Sequence, residues 1–237
     1  MLPHRSSGRL LLIVYVVVGV VVLASTLAGS ALAEVAGWFA IPLLAEVLIV
    51  TSDPPRPRAV VLLAGGLVAF AVADVGASLI PGEAALPVAV AARGAGLALM
   101  LGAVAPLHRD SIIHTRRSWL GGYALFYLVI LFAVRQDSGA MLVPLLAYGA
   151  LLLVVAVLAT GLGFTAGFGG LLLALAEALA VMYAYTPGWD RPGVPFWVEL
   201  ARLAGLGLIL LGALGRWQAG DYGTLERWSL RGRTTAS

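Results

Sequence analysis

LLAGGLVAFAVADVGASLIP, residues 62–81, sets one ionisable side chain, Asp74, inside an otherwise apolar run. A carboxylate in that setting is costly unless it is paired, hydrated or protonated, so it marks a candidate functional site. The rest of the chain is read outward from it.

The surrounding composition fixes the solvent. Of 237 residues, 61% are hydrophobic and 11% charged, with a mean hydropathy of +0.98, far from the range of soluble globular domains. The apolar runs are continuous rather than alternating, which predicts an all-α polytopic membrane protein and not a barrel. There is no cysteine, so disulfides and thiol chemistry are excluded. There is no lysine either, which excludes a Schiff-base cofactor. His4, His108 and His114 fall in flanks or loops, an arrangement unsuited to haem, and no metal-ligand spacing, phosphate loop or nucleophile elbow is present. The expectation is no cofactor and no metal. The basic pI of about 9.6 reflects arginines at membrane boundaries and not a nucleic-acid surface.

Eight spans are predicted, at about residues 10–33, 35–51, 59–80, 84–107, 119–134, 140–162, 164–185 and 195–215. Together they make one transmembrane domain over residues 1–215, followed by a polar tail over 216–237. The first span ends in Ala31-Leu32-Ala33, which has the small-x-small form of a signal-peptidase site, yet its apolar core is longer than a signal h-region; an uncleaved helix is expected. With eight spans, Arg5, Arg9, Arg56, Arg58, Arg109, Arg116, Arg117, Arg216, Arg227, Arg231 and Arg233 share the side of the termini. Only Arg135 and Arg191 lie opposite. The positive-inside rule then places both termini in the cytoplasm and the protein in the cell membrane. Trp38, Trp189 and Trp197 fall near outer ends, where interfacial aromatics gather.

The intramembrane charges cluster in depth. At a rise of about 1.5 Å per residue, Asp74 lies about 10 Å, Glu177 about 12 Å and Arg93 about 13 Å from the outer end of its span. Glu199 and Arg202 enter from the outer end of the eighth span, and Glu46 sits deeper on the second. All are expected at or above the mid-plane, around one polar cavity. Asp74 with Arg93 and Glu199 with Arg202 read as ion pairs, the latter at i, i+3. Glu177 and Glu46 remain as surplus carboxyl groups, and Glu177 is expected to hold a proton and serve as an acid. Clustered glycines at 161–170 and 205–215 read as helix-packing positions. Tyr148 is a candidate substrate contact.

The pattern resembles the lysoplasmalogenase-like family of bacterial YhhN-type and animal membrane proteins. The matching residues are Pro42-Leu43, then Leu63-Ala64-Gly65-Gly66-Leu67 with Ala73-Asp74 and Pro81, Pro144 through Tyr148, and Gly169-Gly170-Leu171-Leu172 with Ala176-Glu177. Ile41 stands where the family has lysine, and Arg93 near where it has histidine. The resemblance covers about residues 35–215 and implies an eight-helix fold and hydrolysis of the vinyl ether bond of lysoplasmalogens. It makes Glu177 and Asp74 the catalytic pair, Glu177 as proton donor and Asp74 as charge stabiliser and water-orienting base, or the two with these roles exchanged. Arg93, Arg202, Glu199, Tyr148 and Glu46 become substrate contacts, with a lysophospholipid as substrate and membrane lipids as surroundings. A non-enzymatic lipid-binding or transport protein using the same cavity is the alternative. Transporters often carry internal repeats, and the two halves show no evident similarity. A third reading is a membrane subunit of a larger complex with its charges on a proton path.

Overall fold

The computed structural model describes residues 6–52, 56–80, 82–186, 188–189 and 191–218. His4, Arg5, Arg227, Arg231 and Arg233 lie outside them. Long apolar runs become helices, α2 even across the interior Pro42, in chain order α1 (Ser6–Leu27), α2 (Leu32–Thr51), α3 (Arg58–Leu79), α4 (Ala85–Val104), the single turn α5 (Ile112–Thr115), α6 (Ser118–Val134), α7 (Leu142–Ala159), α8 (Phe164–Tyr185) and α9 (Val194–Gln218). No strand occurs among the described residues. Seven of these helices, with their flanking turns, are long and apolar enough to cross a membrane, and α6, at 17 residues, is a shorter apolar helix. This is the architecture of a multi-pass membrane protein.

The expected boundaries hold within a few residues except at the first connection. α1 ends at Leu27, six residues before the expected Ala33, and Gly29, at φ 62°, makes the left-handed turn that follows it. Ala31-Leu32-Ala33 therefore leads into α2 and does not close α1. At the far end, α9 continues through Arg216, whose guanidinium binds the Gly161 carbonyl and Asp110.

Seven helices form a closed ring in the order α1, α2, α3, α4, α7, α8, α9 and back to α1, while α6 leans on α7 and α8 from outside. Chain neighbours in the ring run antiparallel. One end of the bundle, here the lower, carries Ser6, Gln218 and the α2–α3, α4–α6 and α7–α8 connections. The upper end carries the other turns. Arg9, Arg56, Arg58, Arg109, Arg116, Arg117 and Arg216 gather at the lower end, against Arg135 and Arg191 at the upper.

Glycine sets the closest approaches. A Cβ on Gly66 would lie 2.8 Å from the Gly96 carbonyl oxygen, and one on Gly205 would lie 2.7 Å from the Leu173 nitrogen. Such backbone contact gives van der Waals attraction and weak Cα–H hydrogen bonds without relying on a hydrophobic drive that lipid does not supply. By contrast, α6 buries only Val134.

Candidate functional site

The two tightest hairpins repeat one device. In α3, Gly66, Phe70 and Asp74 follow at steps of four, so they share one helix face; in α8, Gly169, Leu173 and Glu177 do the same. Each partner helix carries an arginine three residues before its contact glycine, Arg93 before Gly96 in α4 and Arg202 before Gly205 in α9. The glycine pairs bring the backbones together in the same register, 66 on 96 and 169 on 205. Side chains lean toward the N-terminus of their helix, so the arginines of the descending helices reach up toward carboxylates that lean down.

This similarity between the halves was missed in reading the sequence, and its signal is present there. Ala92-Arg93-Gly94-Ala95-Gly96-Leu97-Ala98-Leu99 and Ala201-Arg202-Leu203-Ala204-Gly205-Leu206-Gly207-Leu208 agree at six of eight positions, and Phe70-Ala71-Val72-Ala73-Asp74 parallels Leu173-Ala174-Leu175-Ala176-Glu177. The ring is thus built around a pseudo-two-fold axis running along the bundle, relating α3–α4 to α8–α9.

The four charges meet at that axis. Within hairpins, Arg93 pairs with Asp74, and Arg202 Nε donates to Glu177 Oε1 at 3.1 Å. Across hairpins, Arg93 lies 3.6 Å from Glu177 and Arg202 lies 4.0 Å from Asp74. Acid and base alternate around a closed square of no net charge. Glu199 adds a fifth member through Arg202 at 2.9 Å, and its counterpart on α4 in the matched register is Val90. All five side chains lie about 7 to 12 Å from the upper end of their helices, at the depth expected from the sequence.

Two expectations are corrected. Glu177 is not surplus: two guanidinium groups hold it, and at 4% exposure it is the most enclosed member of the cluster. Counting one carboxylate per arginine missed this, because a guanidinium presents five donors and bridges several acids at once. Glu46 does not join the site. The buried face of α2 is formed by Ile41, Leu44, Ala45 and Leu48, so Glu46 points the opposite way and is exposed, about 8 Å from the lower end. It is neither at nor above the mid-plane.

Exposure grades across the cluster, from Glu177 (4%) and Arg202 (7%) through Arg93 (16%) and Asp74 (20%) to Glu199 (30%). The open side faces a vestibule of about 300 Å³ bounded by α1, α2, α3 and α9 with Arg93 of α4, where Glu34, Trp38, Asp74, Arg93, Glu199 and Arg202 line the wall. Trp38 leaves its indole N–H buried without a partner there. Behind the square lies the vestibule's counterpart under the pseudo-two-fold. This smaller void of about 50 Å³ is bounded by Leu86, Val90, Arg93, Leu145, Tyr148 and Glu177 among others. Leu86, Val90, Arg93, Glu177 and Ala180 occupy the places that Pro195, Glu199, Arg202, Asp74 and Ala77 take in the vestibule. The half-sites differ most at one place, where the vestibule has Glu199 and the rear void has Val90.

Tyr148 therefore reaches the cluster from behind, beside Glu177. Its buried hydroxyl faces the Glu177 carboxylate, its hydrogen-bond partner, at the loose end of hydrogen-bond geometry. Among the described residues no group of three or more metal-ligating side chains occurs. No protein-family model, curated protein or solved structure matches the chain.

Proposed function

We propose that this protein is a non-enzymatic binding or transport protein for a single-chain polar lipid of the lysophospholipid type, with the headgroup seated in the vestibule. The supporting observation is the square of Asp74, Arg93, Glu177 and Arg202 on the pseudo-two-fold axis. Parallel repeats related by an axis along the membrane normal recur in transporters, with the substrate site at the interface between repeats. A zwitterionic headgroup suits this vestibule, its ammonium facing Glu34 and Glu199 and its phosphate facing Arg93 and Arg202. Below the square, the glycine contacts hold α3 to α4 and α8 to α9 backbone against backbone. In this reading α6 completes eight spans, the arginine-rich lower end and both termini face the cytoplasm, and the protein resides in the cell membrane.

Hydrolysis of a lysolipid vinyl ether is the second reading, and Glu199 favours it. It is the most exposed carboxylate of the cluster, has one arginine partner and has no counterpart in the other hairpin. In this scheme Glu199 or Asp74 protonates the vinyl carbon distal to oxygen, and the resulting oxocarbenium ion is stabilised by the remaining carboxylates. Water adds to the carbon bearing the ether oxygen, returning a proton, and the hemiacetal collapses to a fatty aldehyde and the glycerophospho-alcohol. The doubly clamped Glu177 suits charge stabilisation better than proton donation.

One experiment separates the two. Purified protein in nanodiscs is given lysoplasmalogen, and both bound lipid and released aldehyde are measured for the native chain and for Arg202→Gln and Glu199→Gln. Saturable binding lost in Arg202→Gln, with no aldehyde, supports the binding and transport reading. Aldehyde release that requires Glu199 establishes the hydrolase instead. Neither binding nor release from folded protein sinks both.

A further inference from the structure

Glu199 is a carboxylate that the architecture does not require. The α3–α4 hairpin holds Arg93 against Asp74 with Val90 in the matched place, so the arginine clamp forms there without a further acid. The square of two arginines and two carboxylates is already neutral, and Glu199 gives it a surplus negative charge. Glu34, about 3 Å below the upper end of α2 and without an ion pair among the described residues, gives the vestibule a second. These carboxylates also keep acceptors in hand. Both arginine contacts of Asp74 fall on Oδ1, and the Arg202 contact of Glu199 falls on Oε1. Asp74 Oδ2 and Glu199 Oε2 are left to other donors.

Trp38 has the opposite need. Its indole N–H is buried in the vestibule wall without an acceptor, a costly state for a donor. It lies about 9 Å below the upper end of α2, level with Asp74 and Glu199 at about 8 Å on α3 and α9. We propose that the vestibule selects a primary ammonium group with an oxygen on a neighbouring carbon, the head of an amino alcohol. The ammonium donates to Asp74 Oδ2 and Glu199 Oε2, and the oxygen accepts from Trp38. This rests on the reading of the vestibule as a headgroup site and names the part of the head that it selects. The ethanolamine phosphate of a lysolipid and a free long-chain amino alcohol share that chemistry.

A trimethylammonium head is the competitor that the site discriminates against. It has no N–H to donate, its methyl groups hold the nitrogen away from carboxylate oxygens, and its usual seat is a cage of several aromatic rings. Among the described residues Trp38 is the one aromatic side chain lining the vestibule, beside the three carboxylates of Glu34, Asp74 and Glu199. A fatty-acid head meets surplus negative charge and is repelled. The rear void, with Val90 in place of Glu199, lacks the second carboxylate of the pair.

Binding is read without turnover and so is independent of whether the vestibule supports hydrolysis. Purified full-length protein in maltoside micelles is titrated with two pairs of single-chain probes, lysophosphatidylethanolamine against lysophosphatidylcholine and sphinganine against its N-trimethyl derivative. Glu199→Gln and Trp38→Phe are measured alongside, each shown to be folded by circular dichroism and size exclusion. In both pairs the member with N–H donors should bind about tenfold tighter, the size of one charge-assisted hydrogen bond. Glu199→Gln should shrink that ratio to about twofold, a change that a merely structural role does not produce, and Trp38→Phe should weaken both amines about fivefold. A ratio untouched by Glu199→Gln, or tighter binding of the trimethyl members, overturns the proposal. Equal, saturable binding within both pairs overturns it while leaving the vestibule a headgroup site. A tenfold preference between the sphinganine pair with no lysolipid bound upholds it and removes the phosphate-bearing ligand. Binding of none of the four removes both.

Discussion

The α8–α9 hairpin and α6 are neighbours in space and opposites in construction. In the hairpin, Gly169, Gly205 and Gly212 bring backbone against backbone, and the same helices carry Glu177 and Arg202. In α6, a Cβ added to Gly121 or Gly122 meets nothing within 4 Å, and one side chain of 17 residues is buried. The difference teaches where precision is spent. Charges in an apolar medium need partners fixed to fractions of an ångström, and glycine contacts supply that rigidity, whereas a helix that carries no intramembrane charge needs only to stay nearby.

The comparison can be broken most directly at the glycines. Gly205→Leu should leave no folded protein extractable in mild detergent, since its side chain meets the backbone of α8, while Gly121→Leu should be extracted at native yield. Equal yields would remove the argument for a rigid hairpin. Next in size, Glu177→Ala removes the acid shared by Arg93 and Arg202, which keep only Asp74 and Glu199 as partners, and should lower stability by about 3–5 kcal/mol, read from the thermal midpoint in nanodiscs. Glu46→Ala, on an exposed face, should change it by less than about 0.5 kcal/mol.

The pseudo-symmetry is sharpened by double-mutant cycles. The Arg202–Glu177 pair at 3.1 Å should show coupling of about 2 kcal/mol, and the cross-hairpin Arg202–Asp74 pair at 4.0 Å less than about 1 kcal/mol. Equal couplings would mean that the square acts as one unit rather than as two hairpin pairs. Smallest is Tyr127→Phe, which removes the hydrogen bond from α6 to Leu146 and should cost about 1 kcal/mol. Amide exchange should quicken in α6 and stay unchanged in α8 and α9.

Much of this was legible in the sequence, for identifiable reasons. Continuous apolar runs gave the helices, and loop prolines and glycines gave most ends. The Asp74–Arg93 pair followed from a short turn joining two helices, and Glu199–Arg202 from the helical repeat. Glu46 was misplaced because its polarity was weighed and its angle was not: Ile41, Leu44, Ala45 and Leu48 already define the opposite face. The clamp on Glu177 was beyond local rules, since Arg93 reaches it across the ring from a helix 84 residues earlier in the chain. The duplicated hairpin was readable but diluted, because the match is confined to short segments of small and aliphatic residues that recur throughout the chain. Its meaning rests on register, which only the Gly66–Gly96 and Gly169–Gly205 contacts reveal.

The depth of the charge square has an electrical consequence. In the eight-span arrangement, a cation entering from the upper end to reach Asp74 travels about 8 Å of a hydrocarbon layer roughly 30 Å thick. In a field falling evenly across that layer, it crosses about a quarter of the membrane potential, equivalent to about 0.6 kcal/mol per unit charge at 100 mV. A singly charged occupant would thus change its apparent affinity about threefold between a polarised and a discharged membrane, whereas a zwitterion lying flat at the same depth would feel almost nothing. Voltage can therefore report the net charge of whatever the vestibule holds.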